Sequence, residues 1–301
     1  MSKQTVALVG GTGHLGTLIA NNLLDQPETE LRLLVRAESR GKVAALEKRG
    51  ARIVEGSLST QDALKTLCEG VSTVVSAVQG GPDVIVEGQS QLLRAARDGG
   101  ARRFVPSDYS LDMFKVTPGR IPTSDMRRRF ASIADAERGQ VEVVHVLNGG
   151  FLDRGVLFGF MRMIDIATQT AYVWGEGTQA MDWTTYADTA RYTAEVAVDE
   201  RPVPPVFSIA GDVIDFVGLV HAYELGSGKK LKVERRGSLA DLDALIDQRK
   251  KAEPANIYAW LPLTYSQAML NGEAKLERLM NDRYPSIKPT TVREYVALEH
   301  L

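Results

Sequence analysis

The sequence predicts an α/β fold: a doubly wound parallel sheet with a second, smaller and discontinuous domain. Three observations carry this. Apolar, β-branched runs alternate with helix-like stretches through the first half; several of those stretches close on a glycine; and the alternation stops after Leu147. The strand-like runs are residues 5–9, 30–35, 51–55, 71–78, 102–105 and 141–147. Near-continuous apolarity over 71–78 is that of a parallel strand covered on both faces. Helices are expected between them at 14–25, 39–49, 60–68, 84–98 and 125–138, with Gly50, Gly70, Gly99 and Gly139 at or just past their ends, where a C-cap favours glycine. Repeated β-α-β steps that each return to a buried strand make a doubly wound sheet.

The second half reads differently. Asn148-Gly149-Gly150 breaks the last regular strand, and 151–166 is rich in Phe, Met, Leu and Gly. A helix is expected at 185–199, then a turn at Arg201-Pro202-Val203-Pro204-Pro205 and a short strand at 206–209 that rejoins the main sheet as an edge. Further helices are expected at 216–225, 239–251 and 256–272, with a strand at 230–234. The expected division is a nucleotide-binding domain over 1–150, to which 183–210 returns, and a substrate-binding domain over 151–182 and 211–301.

Composition excludes several functions. With 36 Lys and Arg against 38 Asp and Glu, the net charge of −2 gives no general attraction to nucleic acid or anionic membrane. The single cysteine, Cys68, suits a reducing compartment. His14, His145, His221 and His300 show no ligand spacing, so no metal site is expected. No apolar run approaches the roughly 20 residues of a membrane span, and the N-terminus lacks signal-peptide anatomy, so a cytoplasmic soluble protein is expected. Oligomeric state is left open.

The chemistry-bearing segment is Gly10-Gly11-Thr12-Gly13-His14-Leu15-Gly16, between the first strand and first helix. A tight turn, a backbone open to a diphosphate and close helix–strand packing all favour glycine, and the helix N-terminus adds partial positive charge. About 20 residues on, where an NAD site carries a carboxylate, this chain has Arg36, with Arg40 and Lys42 nearby. A guanidinium grips a 2′-phosphate, so the expected cofactor is NADP(H).

Together with Ser76-Ala77-Val78 and the run Arg103-Phe104-Val105-Pro106-Ser107-Asp108-Tyr109, this segment resembles the NmrA-like and isoflavone-reductase-like branch of the atypical short-chain dehydrogenases. The resemblance covers essentially the whole chain. It implies a Rossmann domain that binds NADP, a small C-terminal domain, and a cleft between them. Ser76, Ala77, Val78 and Gln79 would run along the cofactor, with Ser107, Asp108 and Tyr109 near the nicotinamide. Asn148, Gly150 and Phe151 would meet substrate.

One departure matters. The family's reductases carry a lysine general acid/base on the helix before the sixth strand, and that position falls on or near Arg128, in Arg127-Arg128-Arg129. Arginine stays protonated and cannot cycle a proton, though it can stabilise charge. Tyr109 and Lys115 are the substitutes the sequence offers. Two readings follow: an NADPH-dependent reductase of a small aromatic, enone or carbonyl substrate, or a non-catalytic NADP sensor that binds a protein partner.

Overall fold

The computed structural model describes residues 4–301, which divide into two compact units. One comprises the described part of Met1–Tyr109 together with Met126–Val146 and Thr189–Phe207; the other comprises Ser110–Asp125, Leu147–Asp188 and Ser208–Leu301.

The first unit is built on six strands: β1 (Gln4–Val9), β2 (Thr29–Val35), β3 (Arg52–Glu55), β4 (Thr73–Ser76), β5 (Arg103–Val105) and β6 (Glu142–Val143). Every pairing is parallel and the order is β3-β2-β1-β4-β5-β6. Strand order reverses between β1 and β4, which makes their carboxyl ends the place where such sheets take ligands. The helices are α1 (His14–Leu24), α2 (Ala44–Lys48), α3 (Gln61–Cys68), α4 (Gln89–Asp98), α5 (Pro122–Glu137) and α6 (Tyr186–Val198). Val6, Ala7 and Leu8 of β1 are wholly buried, as a strand covered on both faces requires.

Two helices of the first unit differ from expectation. The stretch expected as one helix over 39–49 is a 3₁₀ segment, Ala37–Val43, leading into the short α2. Likewise, a π-helical turn, Asp83–Gly88, precedes α4. Gly70 and Gly139 take left-handed backbone after their helices, but Gly99 does not, and Gly100 takes that conformation instead. Gly99 is glycine for a different reason: a Cβ there would lie 2.3 Å from the Cys68 carbonyl oxygen.

The strand expected over 141–147 is split. Val144 donates to the Phe104 carbonyl (2.9 Å), and in a parallel ladder the next bond would need an N–H from Pro106, which has none. The chain therefore leaves the sheet and forms β7 (His145–Leu147). This pairs with the segment expected to rejoin the main sheet, β12 (Val206–Ser208), in a separate two-stranded ladder. That expectation is corrected.

Arg103 is wholly buried and holds α6 to β5. Its guanidinium donates to the carbonyls of Val196, Asp199 and Arg201 around the α6 C-terminus and pairs with Glu142 at 2.7 Å. A cation suits that end of a helix.

In the second unit, β8 (Gly150–Phe151), β11 (Met181–Thr184) and β13 (Asp212–Ile214) form one sheet; β9 (Ile164–Asp165), β10 (Thr170–Val173) and β14 (Lys232–Arg235) form another. Four helices, α7 (Phe216–Ser227), α8 (Leu239–Ala252), α9 (Leu261–Leu270) and α10 (Val292–Leu298), pack around Trp183, Leu219, Tyr223 and Val296. No helix among the described residues is long and apolar enough to cross a membrane.

The Gly99 contact predicts an ordering. Gly99→Ala should cost about 1–3 kcal/mol by overpacking against backbone. Gly70→Ala, at φ +65° with nothing within 4 Å of its Cβ, should cost only the roughly 1 kcal/mol of left-handed backbone. Urea denaturation of both variants measures this, and the reverse order would contradict the close approach.

Candidate active site

The glycines of the loop are not equivalent. Gly10 has φ +91°, and its Cβ would lie 2.2 Å from the Ala77 carbonyl oxygen; a Cβ on Gly16 would lie 2.1 Å from that of Gly10. Both are required by the chain's own packing. Gly11 is buried against the Leu33 side chain. Gly13 is different: it is exposed, extended at φ −86°, and its Cβ would meet nothing nearer than 3.4 Å. Neither packing nor conformation demands glycine there. Gly13 begins α1, which has no side-chain N-cap and no acidic residue in its first turn. A helix N-terminus presented this way suits an anion that approaches the backbone closely. Thr12 and Leu15 are half-buried and His14 is exposed beside it.

Arg36 is the first residue past β2. It is exposed, and its Nε lies 3.3 Å from Glu38 Oε1. Arg40 is directed away, to Glu47 of α2 at 2.5 Å.

The exits of β4 and β5 are stitched together. Ser76 is wholly buried at the end of β4, and among the described residues its hydroxyl has no partner. Ala77 and Val78 follow half-buried, and Gln79 is exposed. Ser107 uses every polar group it has. Its N–H donates to Gln89 Oε1 (2.8 Å), its hydroxyl to the Val78 carbonyl (2.6 Å), and its carbonyl accepts from Arg127 Nε (3.2 Å). Asp108 is wholly buried, with Oδ2 2.6 Å from His145 Nδ1 and Oδ1 unpartnered among the described residues. Tyr109 has φ +29°, a strained value for a bulky side chain. Burial pushes its phenol well above the usual tyrosine range and the Asp108 charge adds to the rise, with the Thr193 hydroxyl pulling the other way. Thr193 itself donates to the Thr189 carbonyl (2.7 Å), and among the described residues no group stands in hydrogen-bonding geometry to the Tyr109 oxygen. That phenol stays protonated, and so remains a hydrogen-bond donor, across the working range of pH.

His145 was not singled out by the sequence, because it lies 37 positions from Asp108. The adjacency of β5 to β6 unites them. Of the arginine cluster, Arg127 reaches the turn after β5; Arg128 is half-buried on the same helix, and its carbonyl accepts from Ser132. Lys115 lies in the second unit, its ammonium held by Glu277 Oε1 and the Lys275 carbonyl, both at 2.9 Å.

In the second unit, Asn148 is wholly buried, and neither end of its carboxamide has a partner among the described residues. A Cβ on Gly150 would lie 2.7 Å from the Trp183 ring, so packing alone accounts for that glycine. Phe151 stacks on Tyr186 with centroids 3.8 Å apart. Burial, then the Asp153 charge, raises the Tyr186 phenol. Among the described residues no cluster of three His, Cys, Asp or Glu could hold a metal.

The model of the NmrA-like family matches residues 2–296. The chain belongs to the NmrA-like family. Pinoresinol reductase 1 of Arabidopsis thaliana is 25% identical to it, with 98% of this chain and 97% of that one covered. Among solved structures, AtPrR2 with NADP+ and (+)pinoresinol superposes with a TM-score of 0.85 at 22% identity, each chain covered completely. An isoflavone reductase gives 0.82 at 18% identity, with 99% of this chain and 100% of that one covered. This NmrA-like chain therefore shares their fold.

The buried pair gives a stability prediction. His145→Leu leaves Asp108 without its partner and should cost about 3 kcal/mol. His145→Asn, whose Nδ2 takes the place of Nδ1, should cost less than half of that. Equal losses in urea denaturation would mean that His145 contributes packing alone.

Proposed function

We propose that this chain binds NADP(H) on the loop between β1 and α1 and reduces a small aromatic substrate. The observation that carries the reading is Gly13: an exposed glycine that nothing inside the protein requires, at the start of an uncapped helix. A Cβ there would stand where a diphosphate must come close. The full-length relative named as a pinoresinol reductase, and the likeness to AtPrR2 solved with NADP+ and (+)pinoresinol, support the reductase over a pure sensor.

When bound, the nicotinamide supplies the hydride. This chain's residues do the rest. Arg36 takes the 2′-phosphate by charge-assisted hydrogen bonds. The Ser107 clamp fixes the turn after β5, and Ser76 offers a buried hydroxyl beyond β4. Tyr109 donates a hydrogen bond from its hydroxyl to a substrate oxygen as charge grows there, with Arg127 and Arg128 as fixed positive charge, and solvent supplies the final proton. We assign substrate selection to the second unit, to the Asn148 carboxamide and the Phe151–Tyr186 stack. A buried carboxamide with both ends unpaired favours an oxygen-bearing ligand, and a stacked aromatic pair favours an aromatic one.

Three measurements test this. Gly13→Ala should leave thermal stability near wild type and weaken NADP+ binding at least tenfold; unchanged affinity in calorimetric titration would remove the loop from the site. Arg36→Ala should weaken NADP+ binding about 10- to 150-fold, the worth of charge-assisted bonds, and barely alter NAD+ binding. NADPH oxidation should proceed with pinoresinol or a related benzylic ether, and Tyr109→Phe should lower kcat more than it changes KM. Tight NADPH binding without turnover on a panel of such aromatics, enones and quinones would favour the sensor.

A further inference from the structure

The charge at the end of β2 is not simply positive. Arg36 follows the last residue of β2, two positions beyond Leu34, which is in register with Val9 just before the glycine loop. The 3₁₀ turn that follows, closed by Ser39 N–H donating to the Arg36 carbonyl (2.8 Å), brings Glu38 back against Arg36. Their side chains are 67% and 66% exposed, and the 3.3 Å contact uses the guanidinium's Nε side. Arg40 is neutralised by Glu47. Arg36 and Glu38 thus stand together, cation against anion, where the adenosine ribose of a bound dinucleotide would end.

We infer that Glu38 is a second reader of that ribose, and that with Arg36 it lets the site accept both NADP(H) and NAD(H). The inference rests on the proposed cofactor site. Arg36 has donors only, so it attracts a 2′-phosphate but cannot accept a hydrogen bond from a 2′-hydroxyl. Glu38 has acceptors only: it repels the phosphate and accepts the hydroxyl. It also lies about 20 residues beyond the loop, where a carboxylate serves NAD. The pair that holds Glu38 to Arg36 is exposed, and such pairs are weak, so either ligand group can displace it. Glu38 therefore weakens NADP binding and strengthens NAD binding at one position.

Equilibrium titration of the whole protein with NADP+ and with NAD+, at low and at high salt, tests this on wild type, Glu38→Gln and Glu38→Ala. Wild type should bind both, NADP+ more tightly. Glu38→Gln should raise NADP+ affinity and lower NAD+ affinity by about two- to fivefold each, the scale of one exposed charge pair. The preference then moves about tenfold toward NADP+, and Glu38→Ala should move it in the same direction. The NADP+ gain should shrink at high salt. A preference within twofold of wild type in both variants, both affinities falling together, or no NAD+ binding by wild type would overturn the inference and leave the NADP site standing. Wild type that binds neither dinucleotide would overturn the proposed function itself.

Discussion

At the carboxyl end of the sheet there is no room for two Cβ atoms. Gly10 lies against the Ala77 carbonyl and Gly16 against that of Gly10, each at a distance that a side chain would violate. The Gly10 carbonyl also accepts from Gly13 N–H at 3.0 Å, so the height of the loop over β1 is set by backbone alone. From that closeness the other contacts follow. Val78, next to Ala77, accepts the Ser107 hydroxyl; Ser107 holds Gln89 and Arg127; and Asp108, next in sequence, takes His145. The exits of β1, β4 and β5 are thereby one linked object. A change at Gly10 would displace not only a phosphate-binding turn but the two loops that carry Ser76 and Tyr109.

Much of this was legible in the sequence, and what was not has identifiable causes. The strands and helices of the first unit announce themselves because each buries a periodic face, and period survives in a linear string. The strands of the second unit are two to four residues long, too short to establish a period. The split at Val144 had a signal in the sequence: Pro106 stands where the next ladder N–H is needed. So did α10, whose Thr291 and Glu294 form a capping box spelled out three residues apart. The pairing of Asp108 with His145 had none, since spacing along the chain carries no record of which strands become neighbours.

Arg128, on or near the position where the resemblance implies a lysine, is better understood through its neighbours than alone. A lysine could cycle a proton; Arg127 and Arg128 cannot, and Arg127 spends its Nε on the Ser107 carbonyl. Tyr109 brings a hydroxyl to the first unit's site, and burial keeps its proton on it. A phenol so held can donate a hydrogen bond to growing charge without leaving a phenolate behind, which shifts the final protonation to solvent.

Ser76, Asp108 and Tyr109 each bury a polar atom without a partner among the described residues. Each such atom costs about 1–3 kcal/mol, and folded proteins seldom carry them close together without use. A protein that only held a dinucleotide by its diphosphate and 2′-phosphate would need the loop and Arg36, and nothing more. Three unsatisfied groups at the ends of β4 and β5 are a standing loss of stability unless the polar atoms of a ligand or of bound water meet them. That loss is the physical reason to prefer a site in which the cofactor is used over one in which it is only detected.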